Sequence, residues 1–441
     1  MTAEQITLGL FLSGLILCVA SGTDLIFALL FGVLCFGIYS IRKGNSPKAT
    51  VLMMKEGMTK VANILIILVL IGCLTASWRF CGTIPFILYH SISFIQPRFF
   101  VLCTFLLCSM MSFLTGTSFG TFSTMGVICM LIGRTAGIST FLLGGAILSG
   151  SYFGDRCSPM SSSAQLVCSL TQTDIYGNIK RMMRSCLVPF ILSAVLYTVF
   201  AGGSSVRPDT SSVAMFKECF SLHWIVSLPA ILILVMSLLH IDVRWTMTTS
   251  ILTSIVLALL LQKTNPAELF YSLYRGYAAP EGTELAKLLN GGGITSMLHV
   301  CIIVLISSSY SGIFSHTPLI LPIKEVLIRQ SKRLGTFGTV TLSALISCGI
   351  SCNQSLGTLL TCQLCEDLYD NKEDLALALE DTVIVICALI PWGVAGAVPL
   401  ATLGAPLTSM AVSFYLWLIP LWGIVVERWR RITGREKTTI A

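Results

Sequence analysis

Three stretches of this chain place residues able to hold a cation or carry a proton inside otherwise apolar sequence. The first, Gly116 to Thr124, reads GTSFGTFST. Its small residues let backbones approach, and its hydroxyls, including Thr117, Ser118 and Thr121, are neutral oxygen ligands. By analogy with other hard cations, sodium takes about five or six oxygens, which hydroxyls and carbonyls can supply. Helix packing through small residues is the competing account. The second stretch, Gly145 to Gln165, reads GAILSGSYFGDRCSPMSSSAQ. Asp155 and Arg156 close an uncharged run from Gly137 to Gly154, and Ser158, Pro159, Ser161 and Ser162 follow. Ionisable groups in or beside a membrane span are costly and usually functional. Pro159 and the run Ser161–Ser163 predict a helix break; the alternative is a span that ends at the interface. The third stretch, Ala378 to Gly396, reads ALEDTVIVICALIPWGVAG. Glu380, Asp381 and Thr382 stand at the head of an apolar run, where acids also suit the first turn of a helix. Pro391 lies mid-run, removes a backbone hydrogen bond and predicts a kink; Trp392 beside it reads as packing. Asp155, Glu380 and Asp381 are therefore the candidate proton carriers, and Pro159 and Pro391 the candidate hinges.

None of the five histidines (His90, His223, His240, His299 and His316) stands at metal-ligand spacing from another. His316 lies in a second candidate broken segment and is of the type that titrates near neutral pH. Nothing resembles a nucleotide loop, a zinc motif or a nucleophile elbow. No cofactor and no resident metal are expected, only a transient cation, and an enzyme is disfavoured.

The elements that position these residues must be membrane helices. Of 441 residues, 54% are hydrophobic and 11% charged, against roughly 25% charged in soluble domains. Fourteen apolar runs, from 6–20 to 406–426, are separated by short loops. Several are too short or too rich in Gly, Ser and Thr to cross as plain helices. The expected fold is an all-α polytopic membrane protein of about 10–12 crossings, with the remainder re-entrant or broken. The net charge of +7 sits in loop clusters, among them Arg42 to Lys60, Lys180 to Arg184, Lys324 to Arg333 and Arg428 to Lys437. Such clusters mark cytoplasmic loops rather than a nucleic-acid face, which puts the C-terminus in the cytoplasm. Most of the 17 cysteines lie in apolar runs as small packing groups, and the lone Cys362-x-x-Cys365 pair is too few for a metal site. The MTAEQ start lacks a basic region, so the first run reads as a retained span. The loop 263–293, with Pro266, Pro280 and Gly291–Gly293, reads as extracytoplasmic and is expected to hold a short amphipathic helix.

The chain also repeats itself. Gly116-Thr117-Ser118-Phe119-Gly120-Thr121 is matched by Asn353-Gln354-Ser355-Leu356-Gly357-Thr358, both with Ser-x-Gly-Thr after an apolar run. Upstream, Cys81-Gly82-Thr83 and Ser311-Gly312-Ile313 each begin a short apolar segment. Downstream, Asp155 precedes Pro159, and Asp381 precedes Pro391. Paired, interrupted hydrophobic segments point to secondary transporters, in which two similar halves exchange roles during alternating access. The expected organisation is an N-terminal hairpin and basic loop (1–60), a first repeat (61–202), connecting spans (203–293), an inverted second repeat (294–427) and a basic tail (428–441). Thr117, Ser118, Thr121, Asp155, Ser158, Ser161, Ser162, Asn353, Gln354, Ser355, Thr358, Asp381 and Thr382 are the expected ligands.

At GTSFGTFSTMGV (116–127), SGSYFGDRCSPMSSSAQL (149–166) and LEDTVIVICALIPWGVAG (379–396) the sequence resembles the NhaC family of sodium/proton antiporters. The resemblance implies an inverted-repeat fold with hairpins meeting at the midplane of the cell (inner) membrane, and transport without a nucleotide. Two departures bear on the mechanism. Antiporters of the family typically carry Ser-Asp-Thr-Thr-Asn where this chain has Ser161-Ser162-Ser163-Ala164-Gln165, so a carboxylate is missing at Ser162. They favour Asn where Gly393 stands. Sodium or another monovalent cation exchanged for protons is the first expectation. Sodium- or proton-coupled transport of an amino acid or other small organic solute is the alternative. The partners are then the ions or the solute and the lipid bilayer; a homodimer is compatible with the sequence.

Overall fold

The computed structural model describes residues 3–21, 23–59, 61–91, 97–201, 217, 219–239, 241–279, 289–317 and 334–433. Lys60, the end of the 83–96 run, His240, Pro280, Pro318, Pro322, the Lys324–Arg333 cluster, Arg435 and Lys437 lie outside them. Among the described residues the chain is helical, and Tyr277 and Gly291 form an isolated β-bridge.

An N-terminal unit comprises α1 (Ala3–Ser21), α2 (Leu25–Arg42) and α3 (Pro47–Thr59). The chain continues through α4 (Ala62–Phe80), α5 (Thr83–Ser91), α6 (Pro97–Thr115), α7 (Ser118–Thr121), a π-helical turn (Phe122–Gly126), α8 (Val127–Thr135), α9 (Thr140–Cys157) and α10 (Ser162–Thr171). Then come α11 (Ile175–Ala201), α12 (Leu228–Leu238), α13 (Val243–Leu261), α14 (Pro266–Arg275) and α15 (Ile294–His316). The last part holds α16 (Thr336–Ser351), α17 (Gln354–Cys365), α18 (Lys372–Asp381), α19 (Val383–Ile386), α20 (Val394–Leu403) and α21 (Phe414–Ile432).

By length and apolar character, three of the described helices can cross a bilayer: Ile175–Ala201, Val243–Leu261 and Ile294–Phe314. Up to five can if two bent pairs each count as one span, with bends of 46° between Pro47–Thr59 and Ile64–Phe80 and 50° between Lys372–Leu389 and Val394–Leu403. Four shorter apolar helices accompany them. The exposed faces are apolar. Leu187, Ile191, Val195 and Val199 form an exposed stripe at helical spacing on α11, and Leu252, Val256 and Leu260 do the same on α13. A protein surrounded by water does not carry such continuous apolar faces, and the chain is a multi-pass membrane protein.

The helix that matters most to the site shows no such face. From Leu142 to Cys157 every residue of α9 is buried. Its glycines and serines let neighbours approach from all sides, α6 most closely. A side chain at Gly150 would meet Cys108 and the Phe105 carbonyl, and one at Gly154 would overlap the backbone of Ser112 and Phe113. The Ser112 hydroxyl donates to the Ser151 carbonyl across the same seam. This small-residue packing brings the end of α6 against the end of α9.

The short helix expected in the 263–293 loop is α14, which buries Leu269 and leaves Phe270, Tyr271 and Tyr274 exposed. One expected match does not hold. The chain breaks at Cys81–Gly82, where Gly82 has φ +89°, but α15 runs straight through Ser311–Gly312. Gly312 serves close packing instead: it lies against the Met53 carbonyl of α3, while Gly57 of α3 lies against Ser308, Ser309 and Gly312.

Replacing Gly154 with Leu forces α6 and α9 apart. Overpacking a dense interior costs roughly 1–3 kcal/mol, and more where the collision is with backbone. The detergent-solubilised Gly154→Leu protein is expected to unfold several degrees below wild type in a thermal melt. Leu at the exposed Gly177 should leave the melt unchanged.

Candidate functional site

Four interruptions in the helices meet around the end of α9. The first separates α6 from α7: Gly116 takes φ +69°, and Thr117 caps α7 by accepting Gly120 N–H at 3.2 Å. A side chain at Gly116 would strike the Met160 backbone, so this break is seated on the second, between α9 and α10. There Ser158, Pro159 and Met160 leave the helix. Ser161 restarts it, its hydroxyl oxygen accepting Ser163 N–H at 3.1 Å and Ala164 N–H at 3.2 Å. The third break follows α16. Cys352 takes φ +55°, and Asn353 caps α17 by accepting the N–H groups of Ser355 at 3.0 Å and Leu356 at 3.3 Å. The fourth lies at Ile390–Gly393 and contains Pro391, where the 50° bend falls.

These breaks satisfy one another's backbone groups, as an apolar environment requires. Val394 N–H of the fourth donates to the Cys352 carbonyl of the third at 2.9 Å. Trp392 Nε1 donates to the Gly349 carbonyl at 2.7 Å, so it packs as expected. Tyr152 of α9 donates to the Ala395 carbonyl at 2.8 Å.

Asp155 is the common point. Its Oδ2 accepts Gln354 Nε2 of α17 at 2.9 Å and the Ser163 hydroxyl of α10 at 3.2 Å. Ser118, first in α7, faces the same carboxyl with its N–H and its hydroxyl. The Ser161 hydroxyl donates to the Asp155 carbonyl. Donors from the first turns of three helices thus surround one buried carboxyl, an arrangement that favours negative charge.

The neighbouring charges are unequal in their partners. Arg156, fully buried, forms an ion pair with Asp381 at the end of α18. Its guanidinium also donates to Ser185 Oγ at 2.7 Å and to the Tyr415 hydroxyl at 3.3 Å, and Ser185 Oγ donates to Asp381 Oδ1 at 3.2 Å. Glu380 is completely buried, and neither of its carboxyl oxygens has a hydrogen-bond partner among the described residues. Glu380 and Asp381 occupy the last turn of α18, not a first turn. Arg156 offsets the charge at Asp381 alone.

Of the residues expected from sequence, Ser118, Asp155, Ser161, Gln354, Glu380 and Asp381 come together here. Ser158 is buried in the second break and accepts Met160 N–H at 3.2 Å. Ser162 and Ser355 are exposed. Thr121, Thr358 and Thr382 each donate to the carbonyl four residues earlier, at 2.9, 2.9 and 2.6 Å. Thr124 and Thr361 bond back likewise, to the carbonyls of Gly120 and Gly357. The capping residue differs, falling one position earlier in the second motif. His316 is exposed at the end of α15, with Nε2 3.7 Å from Glu56 Oε2. Sequence reasoning did not find Ser163 as a donor, Tyr152, Ser185 or Tyr415, or the Arg156–Asp381 pair. Only Ser163 carried a signal, as the last of three consecutive serines.

Helices interrupted inside the apolar interior, with uncompensated carboxyls at the interruptions, define a membrane transporter. The sequence profile of the Na+/H+ antiporter family matches residues 2–164 and 150–426. The chain is 30% identical over 395 residues to the malate-2H(+)/Na(+)-lactate antiporter of Bacillus subtilis strain 168, covering 86% of this chain and 83% of that protein. It is 28% identical over 386 residues to the Na(+)/H(+) antiporter NhaC of the same organism, covering 84% and 85%. It is 27% identical over 383 residues to the Na(+)/H(+) antiporter NhaC of Alkalihalophilus pseudofirmus, covering 84% and 83%. The chain belongs to the Na+/H+ antiporter family; it is a secondary transporter and not an enzyme.

Removing one member of a buried ion pair strands the other and costs about 3–5 kcal/mol. Arg156→Met is expected to lower the thermal midpoint sharply. Adding Asp381→Asn in the same chain should recover much of the loss, because the stranded charge is gone. Additive losses in this cycle would show that the two residues are not coupled.

Proposed function

We propose that the chain exchanges sodium for protons across the cell membrane by alternating access, with Asp155 and Glu380 as the groups for which the two ions compete. One observation carries this reading. Three carboxyls are buried together with a single guanidinium, and Arg156 is committed to Asp381. Asp155 keeps only neutral donors, and Glu380 has no partner among the described residues. A buried charge without a counter-charge is costly, so a proton or a stripped cation supplies what the protein withholds. Binding one then displaces the other, which is the chemistry of exchange. Ser118, the Gln354 amide and the Ile384 carbonyl, which accepts Gln354 Nε2 at 3.4 Å, supply neutral polar groups around the ion. Thr117, Ser161 and Asn353 cap the broken helices. Ser158, Thr121, Thr358 and Thr382 shape the breaks, and Pro159 and Pro391 are the hinges.

The matched, capped breaks after α6 and α16 support two inverted repeats, 61–202 and 294–427, that rock about this junction. Counting the shorter and bent helices, about 10–12 crossings fit the chain length. Arg428, Arg430 and Arg431 at the end of α21 support a cytoplasmic position for that end.

A second reading has a specific basis. Ser162 and Gly393 leave the site without two polar side chains that the sodium/proton exchangers it resembles are expected to carry. One relative is named for malate and lactate. An organic acid moved together with these ions is therefore the alternative cargo.

Proteoliposomes with an acidic interior distinguish the two. Sodium or lithium added outside is expected to dissipate the gradient, with Asp155→Asn and Glu380→Gln each abolishing the response. Where one proton competes with one cation, the apparent sodium KM should fall by about tenfold per unit rise in pH. No dissipation by sodium, lithium or potassium, together with uptake of labelled lactate or malate, would favour the organic-acid reading instead.

A further inference from the structure

The faces that the helices leave exposed are not all alike. The exposed stripes on α11 and α13 are apolar and suit lipid. α10 differs. Its exposed residues are Ser162, Gln165 and Ser169, with Gln172 at its C-cap, spaced by three and four positions so that they share one face. All four are polar and uncharged. α17 matches it: its exposed residues are Ser355 and Gln363, on one face with Glu366 at the C-cap. A polar side chain turned to hydrocarbon loses its hydrogen bonds to water and costs free energy. Two helices with polar exposed faces therefore border water.

Both stripes begin at the carboxyl junction. Ser163 and Gln354, in the first turns of α10 and α17, share Asp155 Oδ2, so the two helices start side by side. They also end at one surface. Lys372, which opens α18 shortly after α17, donates to Gln172 Oε1 at 2.9 Å. α16, packed against α17, begins beside the basic end of α21, where Phe337 N–H donates to Glu427 Oε1 at 3.2 Å. From Ser162 to Gln172 the chain rises about 15 Å, half of a hydrocarbon core roughly 30 Å thick. The opposite approach is closed. α9 and α20, joined to α10 and α18 across their breaks, lead the other way, and no residue is exposed from Leu142 to Cys157 or from Val394 to Leu400. At the far end of α20, Arg134 Nη2 donates to the carbonyls of Leu403 and Gly404, both at 2.7 Å.

We propose that α10 and α17 border a water-filled cleft through which ions reach Asp155 from the cytoplasm, with Gln165, Ser169 and Gln363 lining the passage, so that this conformation faces inward. The proposal rests on Asp155 as the ion's resting place and on a cytoplasmic end of α21.

Cysteine labelling tests it in the full chain, with the exposed Cys103 and Cys219 replaced by Ser and the remaining cysteines read as background. A charged, membrane-impermeant maleimide is added to inside-out or right-side-out membrane vesicles. Gln165→Cys and Ser169→Cys are expected to react from the cytoplasmic side only, as is Gly177→Cys beyond the end of the stripe. Ile191→Cys on the lipid face of α11 should react about tenfold more slowly or not at all, because apolar surroundings suppress the reactive thiolate. If Gln165→Cys does not fold, Ser169→Cys decides. Unreactive stripe positions in a chain whose Gly177→Cys reacts, equal reaction from both sides, or Gly177→Cys reacting only from outside would each overturn the proposal. Labelling needs no transported ion, so a failed exchange assay leaves the cleft standing, and a failed labelling pattern leaves the exchange reading standing.

Discussion

Three buried carboxyls share one buried cation, and the rest of the structure is arranged around that imbalance. Asp155, Glu380 and Asp381 come from the ends of α9 and α18, and Arg156 cancels one of them. Apolar surroundings cannot dilute the remaining charge. Two solutions stand side by side. At Asp155, Gln354 and the starts of α7 and α10 supply neutral hydrogen-bond donors. At Glu380 none of the described residues supplies a donor. A fixed counter-charge at both positions would stabilise the fold and leave nothing for a mobile ion to do.

That arrangement explains why the helices are broken where they are. A continuous helix would keep its N–H groups on its own carbonyls. Interrupting it frees backbone groups, which other parts of the protein must then satisfy. Val394 bonds to the third break, Tyr152 to the fourth, and Ser161 to the Asp155 carbonyl. The small-residue seam between α6 and α9 is the mechanical counterpart. Gly150 and Gly154 bring two backbones close enough for Gly116 to rest on Met160. The site is therefore built by packing before it is built by chemistry.

The breaks themselves were legible in the sequence because their causes are local. Pro159 and Pro391 lack an N–H, and Gly116 tolerates positive φ where most residues do not. Asn353 beside the second Ser-x-Gly-Thr was legible for the same reason. Glycine alone was not enough: Ser311–Gly312 looks like Cys81–Gly82 in sequence, yet Gly312 sits mid-helix against α3. Helical phase accounts for Ser162 and Ser355, which belong to the right motifs but face outward. The Arg156–Asp381 pair was not legible, because its members stand 225 positions apart and nothing local joins them. Glu380 and Asp381 were also set against the wrong helix end, since the break at Thr382 separates them from the apolar run that follows.

Relatives across much of the family length carry names that differ in the solute moved. A shared junction of broken helices with an adjustable set of side chains around it accounts for that range. The central claim is that a buried carboxyl at this junction gives up its proton when a cation arrives. Sodium-induced infrared difference spectroscopy of the purified protein reads this step directly. At a pH where the resting site is protonated, adding sodium should remove a carboxylic-acid carbonyl band in wild type, and that loss should be missing in Glu380→Gln. Identical difference spectra from the two proteins would contradict the account.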